Sequence, residues 1–180
     1  MPRILGLSGS LRAASYNAGL LRAAMELAPE GCPVLPGSIH EVPLFNADEE
    51  AAEGLPVAVK TLQAQLAEAD GLLLVTPEYN GGIPGVFKNA IDWMSRGEGG
   101  KAFKGKPVAI IGASPGGFGT ILSQTHWLPV LRALGAQPWL GAKLMVSRAG
   151  KSFDAQGTLT DSAVREQLQA YLAGFAASLD

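Results

Sequence analysis

The chain has 180 residues, 47% of them hydrophobic and 17% charged, with a formal net charge of −2, which is the makeup of one folded domain large enough to bury a core. No Lys/Arg cluster supplies the positive stripe by which a nucleic-acid binder displaces counterions, so no nucleic-acid partner is expected. The lone cysteine, Cys32, excludes an internal disulfide framework and a cysteine-ligated metal cluster.

The amino terminus, M-P-R-I-L-G-L-S-G-S, has no signal-type apolar region followed by a cleavage site. No apolar run along the chain approaches membrane-spanning length, so a cytoplasmic protein with no membrane partner is expected. R-I-L-G-L (Arg3–Leu7) reads as a first strand. Residues 15–27 read as a helix with Leu20, Leu21, Ala24 and Leu27 on one face. A second strand is placed near 33–40, followed over 36–56 by a Pro- and acid-containing connection without strong periodicity. A helix over 57–67 precedes G-L-L-L-V (Gly71–Val75), an uninterrupted apolar strand of the kind covered on both faces.

Pro84 suits the first turn of a helix over 84–94. P-V-A-I-I-G-A (Pro107–Ala113) is another buried strand, and a helix over 119–134 should kink at Pro129. A further strand lies within 137–146, and a last helix covers 161–179. Strands alternating with helices imply an α/β domain spanning 1–180, a three-layer, doubly wound parallel sheet. Ligands of such sheets bind outside the carboxyl ends of the strands.

Three loops leave those ends. The first, S-G-S-L-R-A-A-S-Y-N (Ser8–Asn17), offers the hydroxyls of Ser8, Ser10 and Ser15, the amide of Asn17 and the charged fork of Arg12. At a helix start this donor set suits a phosphate monoester. A plain Ser-rich turn with Ser15 as N-cap is the competing reading of the loop taken alone. Neither G-x-G-x-x-G nor G-x-x-x-x-G-K-[ST] occurs. The second loop is T-P-E-Y-N-G-G-I-P (Thr76–Pro84), and the third, Ser114–Gly119, carries Gly116, Gly117 and Gly119. Both suit the close approach of a flat ligand to peptide N–H groups.

G-A-S-P-G (Gly112–Gly116) also satisfies G-x-S-x-G between a strand and a helix, and His126 follows, so a serine hydrolase has to be weighed. The oxyanion hole of that motif uses the N–H after the serine, and Pro115 has none. Nor does an acid-then-histidine order follow, since His126 falls inside the next helix and His40 lies upstream.

S-G-S-L-R-x-x-S-x-N, T-P-E-Y-N-x-x-I-P-G-x-x-K-N-A-I-D-W and A-S-P-G-G-x-G together resemble the NAD(P)H-dependent FMN reductase family, in its bacterial quinone, chromate and azo-dye reductase branch. The resemblance runs from Ile4 to about Ala136 and departs from the commonest pattern at Thr120, where a glycine often stands. It implies a flavodoxin-like fold of five parallel strands and a non-covalent FMN. Ser8, Ser10, Arg12, Ser15 and Asn17 would surround the phosphate. Pro77, Glu78, Tyr79, Asn80 and Gly81 would line the isoalloxazine, largely through backbone, with Ser114, Gly116 and Gly117 on its pyrimidine side. It further implies ping-pong transfer of two electrons from NADPH or NADH to FMN N5 and then to a quinone-like acceptor, with no catalytic side chain, in a homodimer or homotetramer. A flavodoxin-type electron carrier is the alternative, although a net charge of −2 is mild for one.

Individual residues have plainer readings. Glu78 could cap a turn or meet a cation across an interface, and Tyr79 could pack on a neighbouring subunit. Lys88, Asn89 and Asp92 share the polar, solvated or interfacial side of their helix. Trp93, Trp127 and Trp139 are expected in core or interface, His126 on a helix surface or at an interface, and Cys32 as a small buried hydrophobe.

Overall fold

A computed structural model describes residues 1–179. Its strands are β1 (Ile4–Ser8), β2 (Val34–Gly37), β3 (Gly71–Val75), β4 (Pro107–Ala113), β5 (Gln137–Pro138) and β6 (Leu144–Val146). Its helices are α1 (Tyr16–Glu26), α2 (Ala47–Glu53), α3 (Val57–Glu68), α4 (Gly85–Met94), α5 (Gly99–Phe103), α6 (Ile121–Leu134) and α7 (Ser162–Ala176). All strand pairs are parallel, in the order β2-β1-β3-β4-β5, and β6 also pairs with β4. The fifth position of the sheet is thus shared by two short pieces, β5 and β6. Five strand positions with this order form the expected flavodoxin-like sheet.

Alternation along the strands explains the three layers. Ile4, Leu73, Val75, Ala109 and Ile111 face one side, against Leu20 and Leu21 of α1 and Leu168, Leu172 and Phe175 of α7. Leu5, Leu7, Leu72, Leu74, Val108 and Ile110 face the other, against Leu62 and Leu66 of α3, Phe87 and Ile91 of α4, and Trp127 and Leu131 of α6. Each Val, Leu, Ile or Phe among them, fully withdrawn from water, contributes about 1.5–3 kcal/mol.

Between β5 and β6 the chain leaves the sheet, so Ile110 in the middle of β4, paired with Leu74 of β3 on one side, has no strand partner on the other. Tyr171 of α7 takes the strand's place: its hydroxyl accepts from Ile110 N at 3.1 Å and donates to Ile110 O at 3.0 Å. The peptide group that a continuous strand would have satisfied is satisfied by one phenol. Trp139 packs edge-on against the same ring, with centroids 4.9 Å apart.

The sequence expectations need three adjustments. The 36–56 connection contains α2, which buries no residue and so has no apolar periodicity to reveal it. It is capped by Asn46 and carries Asp48, Glu49 and Glu50 in its first turn, where the helix dipole favours acids. Asn89 is not simply solvated: its amide accepts from Phe45 N and donates to Pro43 O, pinning that connection to α4. Finally, the helix expected over 119–134 starts two residues later, at Ile121, with Pro129 inside it. Trp93 and Trp127 are core, Cys32 is buried and His126 is exposed, as expected.

Candidate active site

β1, β3 and β4 are neighbours, with Ser8 opposite Val75 and Val75 opposite Ile111. Their carboxyl ends therefore deliver the three loops side by side. A cavity of about 420 Å³ opens there, walled by Ser10, Arg12, Ser15, Tyr16 and Asn17 from the first loop, Pro77, Glu78 and Tyr79 from the second, and Ala113, Ser114 and Pro115 from the third. A larger hollow of about 590 Å³, which includes Asp70, Lys104 and Pro107, lies at the opposite, amino ends of β3 and β4 and contains none of these loops.

The first loop is built for its turn and still has donors to spare. Gly9 passes so close to α4 that a Cβ there would stand 2.2 Å from the Phe87 ring. Ser15 caps α1, its Oγ accepting from Asn17 N at 3.2 Å and Ala18 N at 3.4 Å. The competing plain-cap reading of Ser15 is therefore real, but it does not account for Ser8, whose buried Oγ has no hydrogen-bond partner. A buried orphan of this kind costs about 1–3 kcal/mol unless a ligand or water meets it. Arg12 is exposed and stacks on Tyr16, its Cζ 5.5 Å from the ring centroid. Asn17 is buried and its amide pairs both ways with Ala113, donating to its O at 2.8 Å and accepting from its N at 2.9 Å. Asn17 thus ties the first loop to the third.

The second loop is a hairpin rather than an open ribbon. Tyr79 and Gly82 exchange backbone hydrogen bonds of 3.2 and 3.0 Å, around Asn80 at φ 52° and Gly81 at φ 71°. Two left-handed central residues are the signature of a type I′ turn, for which Asn-Gly is the preferred pair. The expectation that this loop offers its backbone freely is narrowed accordingly: the amides of Tyr79 and Gly82 are taken by the turn. Asn80 and Gly81 form the tip rather than the cavity wall. The Tyr79 side chain stands 53% exposed beside the cavity. Glu78 reaches across to α6, where its Oε2 accepts from Leu122 N at 2.9 Å and Ser123 N at 3.0 Å.

In the third loop, glycines serve two purposes. At Gly112 a Cβ would lie 2.2 Å from both Thr120 Oγ1 and Thr76 O, so the protein itself forbids a side chain there. Gly117 has no heavy atom within 4 Å of its Cβ position, and Gly116 only Ser114 Oγ at 3.6 Å. Nothing in the protein requires those two to be bare. A flat group lying against their backbone would.

The hydrolase motif has no machinery behind it. Ser114 Oγ donates to Gly119 O at 2.6 Å. Asn80 and Arg148 are the only non-glycine positive-φ residues among those described, so Ser114 lacks the strain of a nucleophile elbow. Thr120, the departure from the family pattern, is fully buried, and its Oγ1 accepts from Gln124 Nε2 rather than capping α6.

Of the thirteen sequence-predicted residues, Ser10, Arg12, Ser15, Asn17, Pro77, Glu78, Tyr79 and Ser114 wall one cavity. Ser8 carries an orphan hydroxyl but lies behind the wall rather than in it, Asn80 and Gly81 shape the hairpin tip, and Gly116 and Gly117 follow the wall residue Pro115. Tyr16, Ala113 and Pro115 complete the wall beyond the sequence expectation. An aromatic between Ser15 and Asn17, at the first helical position, was the available signal for Tyr16. The donor set of Ser10, Arg12, Ser15 and Asn17 and the bare Gly116–Gly117 segment together fit a ligand with a phosphate at one end and a planar ring at the other.

Comparison with known proteins agrees. The profile of the NADPH-dependent FMN reductase family matches residues 2–151. An NAD(P)H-dependent FMN reductase of Pseudomonas aeruginosa is 45% identical over 170 residues, covering 94% of this chain and 91% of its own. A quinone reductase of Escherichia coli K12 is 37% identical over 176 residues, 96% of this chain and 93% of that one. Among solved structures, the flavoenzyme NAD(P)H:(acceptor) oxidoreductase FerB from Paracoccus denitrificans superposes with a TM-score of 0.87 at 31% identity, covering 99% of this chain and 97% of that one.

Proposed function

Because this chain belongs to the NADPH-dependent FMN reductase family, we propose that it is an NAD(P)H-dependent FMN oxidoreductase acting on quinones or similar small acceptors, such as azo dyes, chromate or free flavin. The observation that carries the reading is the meeting of three loops on one cavity at the carboxyl edge of the sheet. FMN, when bound, supplies the chemistry: it takes two electrons from a nicotinamide nucleotide and passes them to the acceptor.

The chain's own residues bind and orient. Ser8, Ser10, Arg12, Ser15 and Asn17 would hold the phosphate, with Arg12 contributing the charge. Pro77, Glu78 and Tyr79 bound the ring on one side. Gly116 and Gly117 let it approach backbone N–H groups, which favour charge gathering on its pyrimidine side. No acid or base at the site is required for this work, and no side chain is assigned one.

Tyr79 of the cavity wall is exposed, and so are Phe118 of the third loop, at 85%, and Ile121 and Leu122 at the start of α6. A second copy covering them would withdraw these apolar side chains from water, and a homodimer or homotetramer is proposed on that ground. A cytoplasmic location is proposed with it; no described helix is long and apolar enough to cross a membrane.

Purified protein should bind FMN and oxidise NADPH or NADH in the presence of a benzoquinone. Bound FMN without turnover would move the assignment to an electron carrier. Gel filtration should show a dimer or larger, and a clean monomer would remove the oligomer proposal.

A further inference from the structure

Glu78 occupies two places at once. It walls the cavity, and its carboxylate takes two amides at the start of α6. The N-terminus of a 14-residue helix carries a partial positive charge of about half a unit that would favour an anion in the neighbouring cavity. Thr120 does not cap this helix, its hydroxyl being engaged by Gln124. The cap comes instead from a carboxylate 44 residues away in sequence. A full negative charge therefore sits where the helix alone would have offered a partial positive one. No described cation forms an ion pair with it.

We propose that Glu78 is a positioning residue that sets the reduction potential of the site: its carboxylate fixes the Tyr79 hairpin on α6 and opposes the gain of negative charge by the ring. The inference rests on the FMN reading of the cavity. Opposing charge on reduction lowers the midpoint potential, which makes electrons leave for an acceptor more readily. The amides of Gly116 and Gly117 then act as the favourable counterweight on the pyrimidine side.

The test is the midpoint potential of the FMN-loaded protein, measured by spectroelectrochemical titration for the parent and for Glu78→Gln. The amide of Gln keeps an oxygen for Leu122 and Ser123 but loses the charge. The variant's reduction equilibrium should shift about tenfold toward the reduced form, or about 30 mV more positive for a two-electron couple. The thermal midpoint of the FMN-free variant should stay within a degree or two of the parent. Glu78→Ala gives a second reading, with an equally raised potential but an FMN-free midpoint several degrees lower, because two amides lose their acceptor. An unchanged potential in FMN-loaded Glu78→Gln and Glu78→Ala overturns the role of Glu78 while leaving the FMN site standing. A parent that takes up no FMN overturns the site reading, and this inference with it.

Discussion

The side-chain amide of Asn17 and the peptide group of Ala113 form a reciprocal pair, with Nδ2 donating to O at 2.8 Å and N donating to Oδ1 at 2.9 Å. Asn17 lies in the first turn of α1, and Ala113 ends β4. One buried side chain therefore sets the spacing between the first and third loops, and both ends of an FMN held as proposed would depend on that spacing. Asn17→Ala would orphan two buried backbone groups, at a cost of about 2–4 kcal/mol, and should weaken FMN binding at least tenfold. Urea unfolding and an FMN titration check both effects. A variant with parental stability would show the pair to be incidental.

Arg12 is exposed and rests on Tyr16. Arg12→Ala removes a charged partner without disturbing the core, so stability should hold while FMN binding weakens by about 1.5–3 kcal/mol, the scale of a charged hydrogen bond. An unchanged dissociation constant would place Arg12 outside the site.

The two kinds of glycine in the third loop can be separated. Gly112→Ala drives a methyl into Thr76 O and Thr120 Oγ1 and should destabilise the fold by about 1–3 kcal/mol through overpacking. Gly117→Ala meets open space, so thermal unfolding without FMN should be unaffected while FMN affinity falls at least tenfold. Equal affinity in Gly117→Ala and the parent would mean that no ring lies against this segment.

Tyr171 stands in for a strand, and its removal is costly for that reason. Tyr171→Phe leaves Ile110 N–H and C=O without partners, a loss of about 2 kcal/mol, yet FMN binding should persist because the phenol is remote from the cavity. Burial raises the Tyr171 pKa well above its ordinary value. The unfolded chain therefore loses this proton first as pH rises. Stability from this group is full below about pH 10 and falls above it by about 1.4 kcal/mol per pH unit. Denaturant melts between pH 9 and 11 should show that slope in the parent and a shallower one in Tyr171→Phe.

The parallel sheet and the three loops were legible because they rest on local patterns: unbroken apolar runs such as Gly71–Val75, and Gly, Ser and Pro clusters after each. The Asn80-Gly81 turn was also legible in principle, since Asn-Gly is a strong local hairpin signal. What was hidden depends on partners distant in sequence. Nothing near Glu78 announces Leu122, nothing near Asn17 announces Ala113, and nothing within 137–146 announces that Tyr171 would complete the fifth strand position. α2 escaped for the opposite reason: it packs no apolar face, so it left no period to read.

Anaerobic mixing of the FMN-loaded protein with NADPH or NADH, followed by addition of a benzoquinone, tests the assignment most directly. The flavin absorbance should bleach with at least one nucleotide and return in full with the quinone. A bound flavin that neither nucleotide bleaches would contradict the assignment as a reductase.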